Sequence, residues 1–141
     1  MKTFVLPFVV AGALLATSAH AQTIFECTTT NGKILKLSET ADEVSYSFGK
    51  PNRPELVFSS DIVSAVYRPY QGVGRYMNYA VQVQNKDAIY EVFTSADKQS
   101  NQTKAGVLVI TGKKETEILC HPNKIRINRL ETMESTTNIP Q

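Results

Sequence analysis

Ten consecutive residues gather the densest set of recognition side chains in this sequence: Tyr67-Arg68-Pro69-Tyr70-Gln71-Gly72-Val73-Gly74-Arg75-Tyr76. Three tyrosines and two arginines share the stretch with two glycines and a proline. Tyr and Arg bring large contact area and directional donors at modest entropic cost, and they dominate the energetics of protein interfaces. Gly72 and Gly74 permit the backbone reversals of a tight projecting loop. The implied chemistry is recognition, with Tyr67, Arg68, Tyr70, Gly72, Gly74, Arg75 and Tyr76 as candidate binding residues. The glycines do not form a phosphate cradle, because Gly72-Val73-Gly74 lacks the third glycine, the lysine and a following helix.

Catalytic chemistry finds less to work with. His121 is the only histidine beyond residue 21. It adjoins Cys120 and precedes Pro122, a position that favours extended backbone. No nearby ligands complete a tetrahedral zinc set with Cys120 and His121. No nucleophile stands paired with this histidine as base. Glu115 and Glu117, at i and i+2, are a carboxylate pair of the kind glycoside hydrolysis uses. Lys113 and Lys114 beside them make a solvated, ion-paired strand face the simpler reading. The expectation is therefore no catalytic residue, no metal and no cofactor. Residues 97–104 form a second polar stretch, read as a solvent-exposed connection. Its Asn101-Gln102-Thr103 matches a glycosylation sequon, which matters only in a eukaryotic secretory route.

The start of the chain supplies an address. Met1-Lys2-Thr3 is a short basic opening, residues 4–16 are almost unbroken apolar sequence, and Ala19-His20-Ala21 fits the small-x-small pattern of a signal-peptidase site. The apolar run is shorter than the roughly 20 residues needed to cross a bilayer. Gln22, not cysteine, follows the site, so a lipid anchor is not expected. The expectation is a signal peptide over residues 1–21, cut between Ala21 and Gln22, and a periplasmic or secreted product without a stable membrane anchor. Of 141 residues, 120 would remain, enough for one domain with its own core. Removing Lys2 leaves fourteen basic against thirteen acidic side chains, a net charge of +1. That balance argues against nucleic acid, which calls for clustered Lys and Arg. Cys27 and Cys120 are the only cysteines, and in an exported chain an isolated pair reads as one disulfide. It would close a loop of roughly 93 residues, for which loop-closure entropy gives about 4–5 kcal/mol.

The elements that must position these residues are strands. Period-two alternation marks residues 23–29, 33–39, 43–48, 55–59, 74–84, 88–95, 107–111, 116–121 and 124–130. Residues 61–68 suit either a strand or a short helix capped by Ser60-Asp61. Asn31-Gly32 is the signal for a two-residue hairpin turn with both residues at positive φ. Residues 49–54 read as a loop, because two prolines and a glycine interrupt the pattern. On the longest run Met77, Tyr79, Val81 and Val83 face one way and Tyr76, Asn78, Ala80, Gln82 and Gln84 the other. Eight to ten short strands imply an all-β fold, a small antiparallel β-barrel or β-sandwich. It would occupy residues 22–131 as a single domain, with residues 132–141 as a flexible tail.

Three motifs carry a family resemblance. Cys27-Thr28-Thr29-Thr30-Asn31-Gly32-Lys33, Tyr46-Ser47-Phe48-Gly49 with Pro54-Glu55-Leu56, and Gly72-Val73-Gly74-Arg75-Tyr76-Met77-Asn78-Tyr79 resemble segments of small uncharacterised secreted proteins of proteobacteria. The overall plan resembles the periplasmic lysozyme inhibitors, small exported β-proteins whose loops block a lysozyme cleft. The chain departs from their Ser-Gly-x-x-Tyr inhibitory loop, since residues 72–76 supply only a Gly and a Tyr at comparable spacing. No residue role is carried across. The expectation is a non-enzymatic binding protein that inhibits a peptidoglycan hydrolase or similar toxin by loop insertion, as a lysozyme inhibitor or immunity protein. A lipocalin-like small-ligand carrier and a structural envelope protein are the alternatives.

Overall fold

The computed structural model describes residues 20–133 together with Gly12. Most of the expected signal peptide, and residues 134–141 of the expected tail, lie outside the described residues. Nine strands form one antiparallel sheet: β1 (Gln22–Thr29), β2 (Ile34–Glu39), β3 (Glu43–Lys50), β4 (Arg53–Asp61), β5 (Val66–Arg68), β6 (Tyr76–Asn85), β7 (Ala88–Asp97), β8 (Thr103–Thr111) and β9 (Lys114–Asn128). Their order is β4-β3-β2-β1-β9-β8-β7-β6-β5. The sheet curls into a half-barrel. The all-β expectation holds, and the architecture is one curled sheet.

Alternation in sequence becomes inside and outside in space. Val44 and Tyr46 of β3 are buried, while Ser45 and Ser59 meet hydroxyl to hydroxyl at 2.8 Å on the opposite face. Val81 of β6 pairs with Val92, Val92 with Val107, and Val107 with Ile118, a continuous apolar row across four strands. The curl brings separate parts of the sheet together. Tyr46 of β3, Phe58 of β4 and Tyr90 of β7 form a ring cluster with centroids 4.9–5.1 Å apart. Burial pushes the Tyr46 phenol well above its usual pKa.

Strand β9 holds the two halves of the sheet together. Its first part pairs with β8 from Thr111↔Lys114 to Gly106↔Leu119. Its second part pairs with β1, from Thr29↔Cys120 to Phe25↔Asn128. The handover occurs at Leu119–Cys120, and between Thr29↔Cys120 and Cys27↔Ile125 β9 carries extra residues that bulge outward. Pro122 lies in this bulge, where its missing N–H breaks no regular ladder. Residues 116–121 and 124–130, expected as two strands, are therefore one bent strand ending at Asn128. The Cys27–Cys120 disulfide crosses at the bend, with its Cα atoms 5.8 Å apart.

Three turns differ from expectation. Asn31-Gly32 is part of a three-residue turn: Gly32 N donates to Thr29 O (2.9 Å) and Thr29 N to Lys33 O (2.7 Å). Gly32 alone is left-handed there, at φ +82°. Thr29 Oγ1 accepts from Lys33 N at 3.1 Å, so a buried threonine hydroxyl favours this longer turn. Residues 49–54 are not an open loop, since β3 and β4 continue to Lys50↔Arg53. A bulge after Phe48 admits Pro54, and Gly49 is needed because a Cβ there would lie 2.3 Å from Glu55 N. Residues 61–68 divide into a 3-10 turn, Ile62–Ser64, and the short strand β5. Asp61 makes no side-chain cap bond.

The packed chain extends past residue 131. A second 3-10 turn, Leu130–Thr132, buries Leu130 completely, and Met133 packs against the core. The Tyr67 hydroxyl donates to Leu130 O at 2.7 Å. Leu130→Ala should cost about 2–5 kcal/mol in urea unfolding. A cost under about 0.5 kcal/mol, typical of surface changes, would remove this turn from the core. Replacing Cys27 and Cys120 together by serine should cost about 2–5 kcal/mol in the same assay.

Candidate functional site

Two connections meet at one end of the sheet. Residues 69–75 join β5 to β6, and residues 98–102 join β7 to β8. The register Tyr76↔Asp97 brings their bases side by side. Arg75 crosses that junction with a two-pronged bond to Asp97: Nε donates to Oδ1 at 2.8 Å and a terminal nitrogen to Oδ2 at 2.7 Å. This planar fork fits a carboxylate with both geometry and charge. Lys98 N also donates to Arg75 O at 3.1 Å. The Lys98 ammonium donates to the Tyr70 hydroxyl and lies 4.7 Å from the Tyr70 ring centre. The loops are thus joined through backbone, ion pair and cation–π contact.

Asp97 also orders its own loop. Its Oδ1 accepts from Gln99 N at 2.9 Å, and Asn101 N donates to Asp97 O at 2.8 Å. The hydrogen bond from Arg75, and then that from Gln99, hold the Asp97 carboxyl well below the usual carboxylate range. The Asp97 bond in turn raises the Arg75 guanidinium further above its ordinary value.

Above this base residues 71–75 of the first loop are all exposed. Gly72 (φ +79°) and Gly74 (φ +94°) take left-handed backbone on either side of Val73. Val73 is 80% exposed and Tyr76 48% exposed. The Tyr76 ring lies 5.4 Å from the Arg75 guanidinium. The seven sequence-predicted binding residues occupy different situations. Tyr67 is half-buried on the core through its bond to Leu130, and burial raises its phenol pKa. Tyr70 is half-buried, clamped by Lys98 and 6.3 Å from the Tyr79 ring. Arg75 is committed to Asp97. Arg68, at the exposed end of β5, has no ion pair among the described residues.

Sequence reasoning missed the part played by Asp97, Lys98 and Gln102. Residues 97–104 read as a simple connection, and nothing local shows that Asp97 faces Arg75. A cleft of about 430 Å³ opens beside Tyr76, bordered by Ser95, Gln102, Thr103, Leu119, Cys120 and Pro122. His121 has a local role, its Nδ1 accepting from Asn123 N at 3.2 Å in the bulge. Glu117 pairs across strands with Lys104 at 3.0 Å. Among the described residues no group of three His, Cys, Asp or Glu side chains could hold a metal ion, and no helix is long and apolar enough to cross a membrane.

The sign of the Asp97 linkage follows from its lowered pKa. A carboxyl depressed on folding stabilises the folded state above its unfolded-state value, near 3.8, and that contribution disappears as pH falls through the folded-state value. The Arg75–Asp97 clamp should therefore persist at pH 4–5, with the Arg75 Nε proton still protected in NMR spectra. Asp97→Asn should remove that protection at every pH. Loss of protection in the wild type on acidification to pH 5 would contradict the clamp. Neither a protein-family model, nor a curated protein, nor a solved structure matches this chain.

Proposed function

We propose that this is an exported, non-enzymatic binding protein that inhibits a cell-wall-degrading enzyme by inserting the loop of residues 69–75 into its cleft. The observation that carries the reading is an exposed tip on a fixed base. Val73 stands exposed between two left-handed glycines, while Arg75, Asp97, Tyr70 and Lys98 tie the loop below it. A loop already ordered in the free protein loses little entropy on binding, and this favours rigid inhibitory loops. Val73 and Tyr76 supply the apolar and aromatic anchors. Arg68 supplies the free guanidinium for the carboxylates of a glycan-cleaving site. Arg75, a candidate binding residue, is committed to Asp97 and braces the loop.

The disulfide is compatible with an extracytoplasmic location. The signal peptide, its cleavage after Ala21 and a periplasmic destination complete the proposal. A carrier is less favoured, because Tyr46, Phe58 and Tyr90 fill the inner face where a lipocalin-like ligand would sit.

The test is titration of the oxidised protein, residues 22–141, into a panel of lysozymes and cell-wall amidases, with turbidity loss of peptidoglycan as readout. Stoichiometric inhibition of at least one enzyme is expected. Val73→Asp combined with Tyr76→Ala should weaken it about thirtyfold or more, the loss typical of one interface hot spot. Undiminished inhibition by that variant would remove the loop from the mechanism. Inhibition of no enzyme in the panel would overturn the function.

A further inference from the structure

The cleft beside Tyr76 has a structural cause. β8 pairs with β7 along its whole length, out to Ala96↔Thr103. Its pairing with β9 stops at Gly106↔Leu119, because β9 turns away there to join β1. Thr103, Lys104 and Ala105 therefore border a split in the sheet, with Cys120 and Pro122 opposite. The cleft's volume of about 430 Å³ lies within the range of small-ligand sites.

Its lining specifies a chemistry. The charged groups at its margin are paired within the protein: Asp97 with Arg75 and Lys104 with Glu117. No uncompensated charge is left there to select an ion. Thr30, Ser95, Gln102 and Thr103 border the cleft, and their side chains form no hydrogen bond with the described residues; Ser95 shares the Tyr76 face of the sheet, while Thr103, paired with Ala96, lies on the opposite face. The four offer three hydroxyls and one amide, groups that both donate and accept. Leu119 and Pro122 add apolar lining beside the half-exposed Tyr76, whereas Ala105 and Cys120 are buried beneath. Hydroxyl and amide groups beside an apolar lining match a pyranose, which presents hydroxyls at its edge and C–H groups on its face.

We propose that this split between β8 and β9 is a binding site for a neutral oligosaccharide, one sugar face lying against Leu119, Pro122 and Tyr76, its hydroxyls bonded by Ser95 and Gln102. The site does not depend on the inhibitory reading of the loop. Ser95 and Gln102 lie outside residues 69–75, so the two can fail separately.

The experiment follows amide shifts of the ¹⁵N-labelled, oxidised protein during titration with N-acetylglucosamine trimer, with cellotriose, and with a neutral tripeptide. Saturable shifts at Tyr76, Ser95, Gln102 and Leu119 are expected with at least one sugar, at a dissociation constant of about 1 mM. Ser95→Ala with Gln102→Ala should weaken binding about tenfold while leaving the dispersed spectrum of the folded protein intact. Val73→Asp should bind sugar as the wild type does. Absence of saturable shifts with both sugars would overturn the proposal. Shifts with the tripeptide alone would also overturn it and assign the split to an extended peptide. Sugar shifts that the double variant leaves unchanged would place the sugar elsewhere and overturn the assignment as well.

Discussion

The structure depends on one strand serving two partners. β9 lies at the centre of the sheet order, with four strands on each side, and among the described residues it is the strand that hydrogen-bonds both β1 and β8. Fifteen residues allow it to pair first with β8 and then, after Leu119, with β1. A strand that changes neighbours must bend, and the bulge at residues 121–124 supplies the bend where Pro122 cannot donate to a ladder. The Cys27–Cys120 bridge ties the bend to the first strand. The curl of the sheet, the meeting of Tyr46 and Phe58 with Tyr90, and the split beside β8 all follow from this change of direction.

The loop end of the molecule is organised by charges that serve the protein itself. Arg75 and Asp97 are 22 residues apart in sequence, and the Tyr76↔Asp97 register brings them together diagonally, so that their fork fixes two connections at once. An exposed ion pair ordinarily contributes little to global stability. Its value here is geometric, because it sets where Val73 and Tyr76 stand. The same pairing removes Arg75 and Asp97 from long-range attraction. Arg68 remains as the free cation of the original motif, and the neighbouring cleft is left to neutral hydrogen-bonding groups. The exposed loop and the cleft meet at Tyr76.

Alternation of apolar and polar residues determined the all-β class, most strand positions and the inward faces, because a strand's side-chain period is local. The isolated cysteine pair determined the disulfide, since only one connectivity exists. The prolines and glycines of residues 67–76 marked a connection between strands. Tertiary structure decided the rest. Whether residues 116–130 are two strands or one depends on which neighbours accept their hydrogen bonds. The burial of Tyr67 depends on Leu130, 63 residues away. Arg75 is a brace because Asp97 stands diagonal to it, and Ser95, Gln102 and Thr103 border a cleft because β8 and β9 part company there. These outcomes are set by pairing between distant segments, and no local pattern of residue types records which distant group a side chain will meet.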